Sequence, residues 1–178
     1  MNNLIDDLFL FSKLDMQKLE FKFEKIDLVP FITDMMEEFK FMLGEQGIIL
    51  KLNNNISESL MVNVDTKRIY QAIRNVIGNA VKYANSEKLI IDVTIYSENN
   101  FIKIDIADNG PGIPHDKLPY IFDRFYRIDT ERTKDLMSTG LGLAISKEML
   151  ESHGGNISVS SKINEGSIFT LTLPIANL

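Results

Sequence analysis

Four polar residues at helical spacing form the first candidate site for chemistry. They follow one another at steps of four, three and one residues and are Asn75, Asn79, Lys82 and Tyr83. Such steps place side chains on one stripe of a helix. Amide oxygens suit a hard cation such as Mg²⁺, an ammonium suits a phosphate, and a tyrosine ring packs against a base. For the asparagines alone a solvated helix face is the simpler explanation, but asparagine is a poor helix former, so two in mid-helix invite a functional reason.

Asp108 is the second candidate, at the start of the stretch "DNGPGIP". Taken alone, it is explained as an aspartate that ends a strand and begins a turn. The functional interpretation is that its carboxylate accepts a hydrogen bond from the exocyclic amine of adenine, while the flanking glycines let the base approach. Guanine would present a carbonyl oxygen instead, a buried mismatch that costs about 1–3 kcal/mol or more. Asp108 would therefore select ATP over GTP.

A glycine-rich helix start is the third candidate, at the run Thr139-Gly140-Leu141-Gly142-Leu143. Bare glycine amides at a helix N-terminus form a natural phosphate site, although glycine there equally permits close helix packing. The preceding segment, "IFDRFYRIDTERTKDLMS", combines aromatic and basic residues. We interpret it as a mobile lid on an aromatic anchor, while its acidic residues fit a solvated charged loop equally well.

Composition excludes several other function classes. The chain of 178 residues contains no cysteine, which removes disulfides and Cys-based metal sites. Its formal net charge is −6 without a basic block, which argues against nucleic-acid binding. No apolar run approaches the roughly 20 residues of a membrane span, so we expect a soluble chain. Of the two histidines, we interpret His153 as a cap at a helix end and His115 as a surface residue.

The periodicity of apolar residues predicts the elements that must position these candidates. Steps of three and four residues predict helices over 4–19, 28–43 and 65–84 and after Gly140, with Asp27 and Asp65 as N-caps. Alternating or β-branched runs predict strands over 19–26, 48–52, 60–64, 88–97, 101–107, 156–161 and 167–173. Strands mixed with helices, without regular alternation, indicate an α+β fold, a two-layer α/β sandwich in a single main domain.

Four motifs, read in order, resemble those of sensor histidine kinases. "NVIGNAVKY" is similar to their asparagine box, "DNGPGIP" and "TGLGLAISKEMLESHGG" to their two glycine boxes, and "IFDRFYR" to their phenylalanine box. The resemblance covers roughly residues 65–174. It implies the Bergerat-type ATP-binding fold shared with type II topoisomerases, heat-shock chaperone ATPases and mismatch-repair ATPases: a mixed sheet with helices on one face and a mobile ATP lid.

The resemblance also implies roles for individual residues. Asn79 would coordinate Mg²⁺, Asn75 would help at the metal or the phosphates, and Lys82 would contact phosphate. Tyr83 would contact the adenine and Asp108 its amine. The remaining nucleotide-binding set comprises Gly110 and Gly112 around the base, Arg127 and Arg132 from the lid, Thr139, Gly140, Leu141 and Gly142 around the phosphates, and Ile113 and Leu143 as apolar walls.

The reaction type follows from Asn75, because ATP-hydrolysing relatives place a water-activating glutamate there and an amide cannot act as that base. The resemblance implies that the γ-phosphate passes to a histidine on a separate dimerisation domain. Residues 1–19 resemble the end of that domain's second helix, and residues 20–178 the catalytic domain. The apolar stripe of residues 1–19 would face the missing helices or pack on its own domain.

The resemblance further implies the wider context of the parent protein. We expect a homodimer with a response regulator as its partner and a cytoplasmic catalytic domain in a protein attached to the cell membrane. Met137-Ser138 stands where the family commonly has two glycines, which is the one hint of a transfer-inactive nucleotide-sensing or partner-binding module. A serine kinase of the same fold is a second alternative, but it would lack the helical leader at residues 1–19.

Overall fold

The structure, a computed structural model, describes residues 3–16, 18–84, 88–128 and 139–176. Its helices are α1 (Asn3–Asp15), α2 (Leu28–Gly44), α3 (Thr66–Tyr83) and α4 (Gly142–Ser152), with a short 3₁₀ helix at Leu118–Tyr120. Its strands are β1 (Glu24–Asp27), β2 (Ile49–Asn54), β3 (Met61–Val64), β4 (Ile90–Glu98), β5 (Phe101–Asp108), β6 (Asn156–Lys162) and β7 (Gly166–Pro174). None of the helices in these ranges combines the length and apolar character that crossing a membrane requires.

A five-stranded mixed sheet carries the fold. Its order is β2-β4-β5-β7-β6, in which β2 runs parallel to β4 and the other neighbours are antiparallel. Alternate residues of the three central strands are buried, as expected for a sheet covered by helices on one face. The residues of that face are Ile91, Val93, Ile95, Ile102, Ile104, Ile106, Phe169, Leu171 and Leu173. The predicted α/β sandwich is confirmed.

Aspartate N-caps define the starts of α2 and α3, the two helices that frame the core. Asp27 Oδ1 accepts from the Val29 N–H at 3.2 Å, and Asp65 Oδ1 accepts from the Arg68 N–H at 3.2 Å. Both predicted N-caps are confirmed. The apolar face of α3 is buried at Ile69, Ala72, Ile73, Val76 and Ile77. Because that face is turned to the core, the polar stripe beside it is held at the edge of the core.

The hairpin between β4 and β5 fixes the position of Asp108. Its turn residues, Asn99 and Asn100, have φ angles of 51° and 66°, the positive values that a two-residue hairpin turn of type I′ requires. Glu98 pairs with Phe101, and from this register Asp108 pairs with Ile91 on one side and Ser167 on the other. The carboxylate therefore lies at the end of a central strand.

The segment before α2 differs from the sequence-based prediction. Helix α1 ends at Asp15 rather than at residue 19. Just after its end, the Lys18 N–H donates a hydrogen bond to the Lys13 carbonyl at 2.9 Å. The strand predicted over 19–26 covers only Glu24–Asp27, because its partner β3 is four residues long. Phe21 and Phe23 instead pack against the ring of His153, with centroids 5.4 and 5.0 Å away.

Helix α1 packs on its own chain, which was one of the two alternatives for its apolar residues. Leu10 and Phe11 are buried in a small cluster with residues of α3 and α4. On the other side of the helix, Ile5, Leu8 and Phe9 are exposed. One apolar side of α1 is therefore covered by the domain, and another is presented to solvent.

Candidate functional site

A cavity of about 600 Å³ lies between the polar stripe of α3, the end of β5 and the start of α4. Most of the predicted site residues line it: Asn75, Asn79, Lys82, Tyr83, Asp108, Gly112, Ile113, Arg127, Thr139, Gly140, Gly142 and Leu143. Gly110 and Leu141 do not line it, and Arg132 lies outside the described residues. The three candidate motifs thus meet at one place although they are far apart in the sequence.

The stripe of α3 contains one residue that also holds α4. Asn75 Nδ2 donates to the Gly142 carbonyl at 3.0 Å and to Ser146 Oγ at 3.2 Å. Because a carbonyl oxygen only accepts, the amide nitrogen of Asn75 must face α4. The side chain therefore fixes the start of α4 against α3. Further along the stripe, Lys82 Nζ lies 4.9 Å from the centroid of the Tyr83 ring.

Asp108 is shaped by burial and by its own turn. Burial raises the pKa of Asp108, while hydrogen bonds from the backbone N–H groups of Gly110 and Ser167 oppose that rise. The Gly110 N–H donates to Asp108 Oδ1 at 2.8 Å, and a Cβ on Gly110 would lie only 2.7 Å from that oxygen. Gly110 therefore acts on the cavity through the carboxylate that it orients.

The loop after β5 is clamped against the hairpin of β6 and β7. Gly112 has φ +71°, and a Cβ there would lie 2.1 Å from the Lys162 carbonyl oxygen. The Ile113 N–H donates to Ser161 Oγ at 2.8 Å, and the Asn164 N–H donates to the Pro111 carbonyl at 2.8 Å. Only glycine fits this approach, and the clamp presents Ile113 as an apolar wall of the cavity.

The start of α4 offers amides to an anion. Its N-cap residue, Leu141, is 1% exposed and supplies no side-chain hydrogen bond to the first turn. Thr139 Oγ1 accepts from the Leu141 N–H at 3.1 Å. Gly140 has φ +67°, and a Cβ there would lie 2.9 Å from backbone atoms of Phe125 and Tyr126. The first turn of α4, at Gly142 and Leu143, faces the cavity with the positive end of the helix dipole.

Several lining residues were not predicted from the sequence: Asp7, Arg74, Gly78, Ala80, Pro111, Ile121, Tyr126, Ile128, Ser167 and Phe169. Gly78 had a signal, since it lies between the two asparagines of the stripe. A Cβ there would meet nothing within 4 Å, so its lack of a side chain widens the cavity. No sequence signal pointed to Asp7, because its position at the cavity depends on how α1 docks on the rest of the chain. Asn109 was also missed: its Oδ1 accepts from the Ile90 N–H at 2.8 Å and so holds the start of β4.

The histidines lie outside the cavity. His153 is 5% exposed; its Nδ1 lies 2.6 Å from the Met149 carbonyl, and its Nε2 accepts from the Asp65 N–H at 2.9 Å. Nδ1 must carry the proton and Nε2 must lack one, so the ring is neutral. Burial lowers the pKa of His153. The predicted helix cap is confirmed, and the same ring also connects α4 to the start of α3. His115 is exposed, as predicted.

Known proteins resemble this chain in sequence and in fold. Residues 64–177 match the family model described as histidine kinase-, DNA gyrase B- and HSP90-like ATPase. The sensor histidine kinase WalK of Bacillus subtilis is 37% identical over 98% of this chain, which spans 28% of WalK. The Acinetobacter baumannii histidine kinase AdeS is 26% identical with a TM-score of 0.72, over 98% of this chain and 78% of that one. Full-length ShkA, solved in complex with AMPPNP, shares the fold with a TM-score of 0.83 at 24% identity, over 98% of this chain and 36% of that one.

Proposed function

The chain belongs to the histidine kinase-, DNA gyrase B- and HSP90-like ATPase family, and from that premise we propose that it binds Mg²⁺-ATP in the cavity and presents the γ-phosphate to a histidine of a dimerisation domain. Its similarity to sensor histidine kinases supports this assignment within the family. We assign residues 1–19 to the end of a dimerisation helix and residues 20–178 to the catalytic domain.

One observation carries the proposal: the cavity brings together the Asp108 carboxylate, the amide stripe of α3 and the N-terminus of α4. Its volume of about 600 Å³ lies within the range of small-molecule sites. Asp108 at one end supplies the acceptor that adenine needs, and Ile113 and Phe169 supply apolar walls. The first turn of α4 and Lys82 supply positive charge for phosphates.

The donor set fits Mg²⁺ that arrives with the nucleotide. No group of three His, Asp or Glu side chains in the described ranges could hold a metal by itself. Mg²⁺ usually takes one or two protein ligands and completes its shell with substrate phosphates and water. Asn79 provides an amide oxygen at the cavity wall, and Asn75, whose nitrogen is committed to α4, keeps its oxygen as a second donor. The bound ion would neutralise phosphate charge during transfer.

The amide at position 75 favours transfer of the γ-phosphate to a side chain over hydrolysis. The amide of Asn75 cannot remove a proton from water, so it provides no general base for hydrolysis at that position. Catalysis would then rest on positioning the γ-phosphate and on neutralising its charge. Asp108 would hold the adenine, Lys82, Arg127 and Arg132 would contact phosphates, and the acceptor histidine would enter from a dimerisation domain.

The decisive experiment supplies the missing acceptor. The chain is mixed with γ-labelled ATP, Mg²⁺ and a histidine-bearing dimerisation domain of a sensor histidine kinase. We expect acid-labile label on that domain's histidine and none on the chain incubated alone. ATP binding without label transfer to any acceptor histidine would favour the transfer-inactive module, and label on serine would favour the serine kinase.

Asn79→Ala tests the metal assignment in the same chain. We expect ATP affinity in Mg²⁺ to fall by about tenfold or more, because the ion loses a protein ligand, with little change in EDTA. Isothermal titration with and without Mg²⁺ measures both. Asn63→Ala is the matched control, since Asn63 is an exposed asparagine of β3 outside the cavity. Unchanged Mg²⁺ dependence in Asn79→Ala would refute the assignment.

In the parent protein we propose a homodimer that passes phosphate to a response regulator. Its catalytic domain would be cytoplasmic and attached to the membrane through other segments. The relatives support this context: WalK is a sensor histidine kinase, and this chain spans 28% of its length.

A further inference from the structure

Helix α1 is docked directly on the elements that form the nucleotide cavity. Its buried residues, Leu10 and Phe11, pack against Ala72 of α3 and against Leu141, Ile145 and Met149 of α4. Leu141 is the residue immediately before the first turn of α4, where we place the phosphates. The position of α1 is therefore coupled mechanically to the phosphate end of the cavity.

The docking of α1 places the carboxylate of Asp7 at the phosphate end of the cavity. Asp7 lines the cavity, and Thr139 Oγ1 donates to its Oδ2 at 3.4 Å. The same hydroxyl oxygen accepts from the Leu141 N–H at 3.1 Å. The carboxylate therefore lies close to the positive end of the α4 dipole, the feature that favours a phosphate there. Two anions near one helix start repel each other.

The second contact of α1 is with the segment that leads into the predicted lid. The rings of Phe11 and Phe125 meet edge to face with centroids 6.2 Å apart. Arg124 lies over the Phe11 ring at 4.6 Å while its Nη2 contacts Glu148 Oε1 at 3.0 Å. Phe125 has φ 62°, a conformation unusual for a non-glycine residue, and its N–H donates to the Gly140 carbonyl at 3.1 Å. A strained residue of this kind persists only where surrounding contacts hold it, and for Phe125 these include the Phe11 ring and the Gly140 carbonyl.

We propose that docked α1 is a built-in brake on nucleotide binding, in which the Asp7 carboxylate opposes the phosphates and the Phe11 contact holds the helix in place. The inference rests on the proposed function. Docking of α1 and binding of ATP then disfavour each other by the same factor, because coupling between two binding equilibria is reciprocal. A movement of α1 in the parent protein would thereby control how readily the domain takes up ATP.

Charge removal in the full chain tests the brake. We expect Asp7→Asn to tighten ATP binding on the order of threefold to tenfold and to leave adenosine, which lacks phosphates, unchanged. ADP should lie between them. Glu20→Gln is the matched control, because it also removes one negative charge but is exposed and outside the cavity. Isothermal titration in Mg²⁺ and in EDTA gives the affinities.

A variant that weakens the docking of α1 without changing its charge tests the role of the Phe11 contact. We expect Phe11→Ala to tighten ATP binding in the same direction, whereas Phe9→Ala, on the exposed side of α1, leaves it unchanged. In the wild-type chain, saturating ATP should increase hydrogen exchange at the α1 amides. Thermal unfolding of each variant confirms that it is folded.

The ATP affinities of the variants and of the wild-type chain separate the brake from the proposed function. Equal ATP affinity in Asp7→Asn and wild type, with ATP bound, overturns the brake but leaves the proposed function standing. Weaker binding of Asp7→Asn in Mg²⁺ alone would also overturn it, because Asp7 would then be a metal ligand. Failure of all variants and of the wild type to bind ATP removes the proposed function and the brake together.

Discussion

Asp108 is the residue that we propose to select the base. One of its oxygens accepts from the Gly110 N–H, and the turn that makes this bond also keeps side-chain atoms away from the carboxylate. Burial raises its pKa, so the acceptor is lost on acidification at a higher pH than for an exposed aspartate. The site therefore depends on one carboxylate in a defined orientation.

Asp108→Asn should weaken ATP binding and abolish the preference for ATP over GTP. If the new amide oxygen keeps the Gly110 bond, its NH₂ group faces the adenine amine, and two donors meet at a cost of about 1–3 kcal/mol. Competition titrations with ATP and GTP measure the preference. Asp105→Asn serves as the control, because Asp105 lies on the same strand and bonds Thr170 at 2.6 Å instead of lining the cavity. A retained preference in Asp108→Asn would show that another residue reads the base.

Asn75 links the site to the packing of two helices. Its Nδ2 bonds to Gly142 O and Ser146 Oγ, so a change at this position acts on the start of α4 before it acts on any ligand. A carboxylate there would place an acceptor against the Gly142 carbonyl. The amide is therefore required for the geometry of the phosphate end.

We expect Asn75→Asp to lower the free energy of unfolding by about 1–3 kcal/mol, since one partly buried hydrogen bond is replaced by a contact between two acceptors. Urea unfolding measures this change, and the same protein should bind ATP more weakly because α4 is displaced. Asn79→Asp, at the cavity wall, changes charge equally and should leave stability nearly unchanged. If both variants unfold alike, Asn75 has no positioning role.

At the scale of elements, the sequence correctly predicts the features that are determined by residues close together in the chain. Asp27 and Asp65 cap their helices through bonds within three residues, and the Asn99-Asn100 turn sets the β4–β5 register. The polar stripe of α3 follows from helical periodicity alone. Its meeting with Asp108 and with the start of α4 was expected only from the family resemblance.

The parts that were missed depend on long-range contacts. Asp7 reaches the cavity only because Leu10 and Phe11 find a partner surface on α3 and α4. The strand before α2 is shorter than its alternating pattern, because β3 offers only four partners. The position of His153 before Gly154 predicts a helix cap, but its hydrogen bond from the Asp65 N–H joins residues 88 positions apart. No local pattern carries such information.

The His153 contact makes the α3–α4 connection sensitive to pH. The pKa of His153 in the folded chain lies below the ordinary histidine value of 6.5, because burial disfavours the charged ring. Below about that pH the unfolded chain binds more protons than the folded one, so the free energy of unfolding decreases as pH falls from 6.5 toward the folded pKa. Protonation would also set a donor on Nε2 against the Asp65 N–H.

His153→Gln should therefore flatten the loss of stability between about pH 7.5 and 5.5, although the variant is less stable at neutral pH. Urea unfolding at both pH values gives the two slopes. His115→Gln is the control: it removes the other histidine, which is exposed, and should keep the wild-type slope. A wild-type slope in His153→Gln would mean that another group controls stability in this window.

At the scale of the whole molecule, the cavity is assembled from segments spread along nearly the entire chain. Its walls come from α1 at Asp7, from α3, from the end of β5, from the start of α4 and from β7 at Phe169. None of these segments encloses a nucleotide by itself. A ligand that bridges α3, β5, α4 and β7 is bound by the folded chain and not by the unfolded one, so occupancy of the cavity must stabilise these four elements together, whereas α1 is expected to loosen.

Mg²⁺-ATP should accordingly raise the free energy of unfolding by about 2.7 kcal/mol at a ligand concentration of 100 times its Kd. Hydrogen exchange in the presence of ATP should slow in α3 and α4 together, because Asn75 connects them and the proposed phosphate site lies between them. Equal concentrations of GTP should stabilise far less, and in Asp108→Asn GTP should stabilise at least as much as ATP, because the amide NH₂ group can donate to the guanine carbonyl oxygen. Urea unfolding with each nucleotide measures these differences. Stabilisation by GTP equal to that by ATP in the wild-type chain would show that phosphates alone are bound, and the base-reading role of Asp108 would then be wrong.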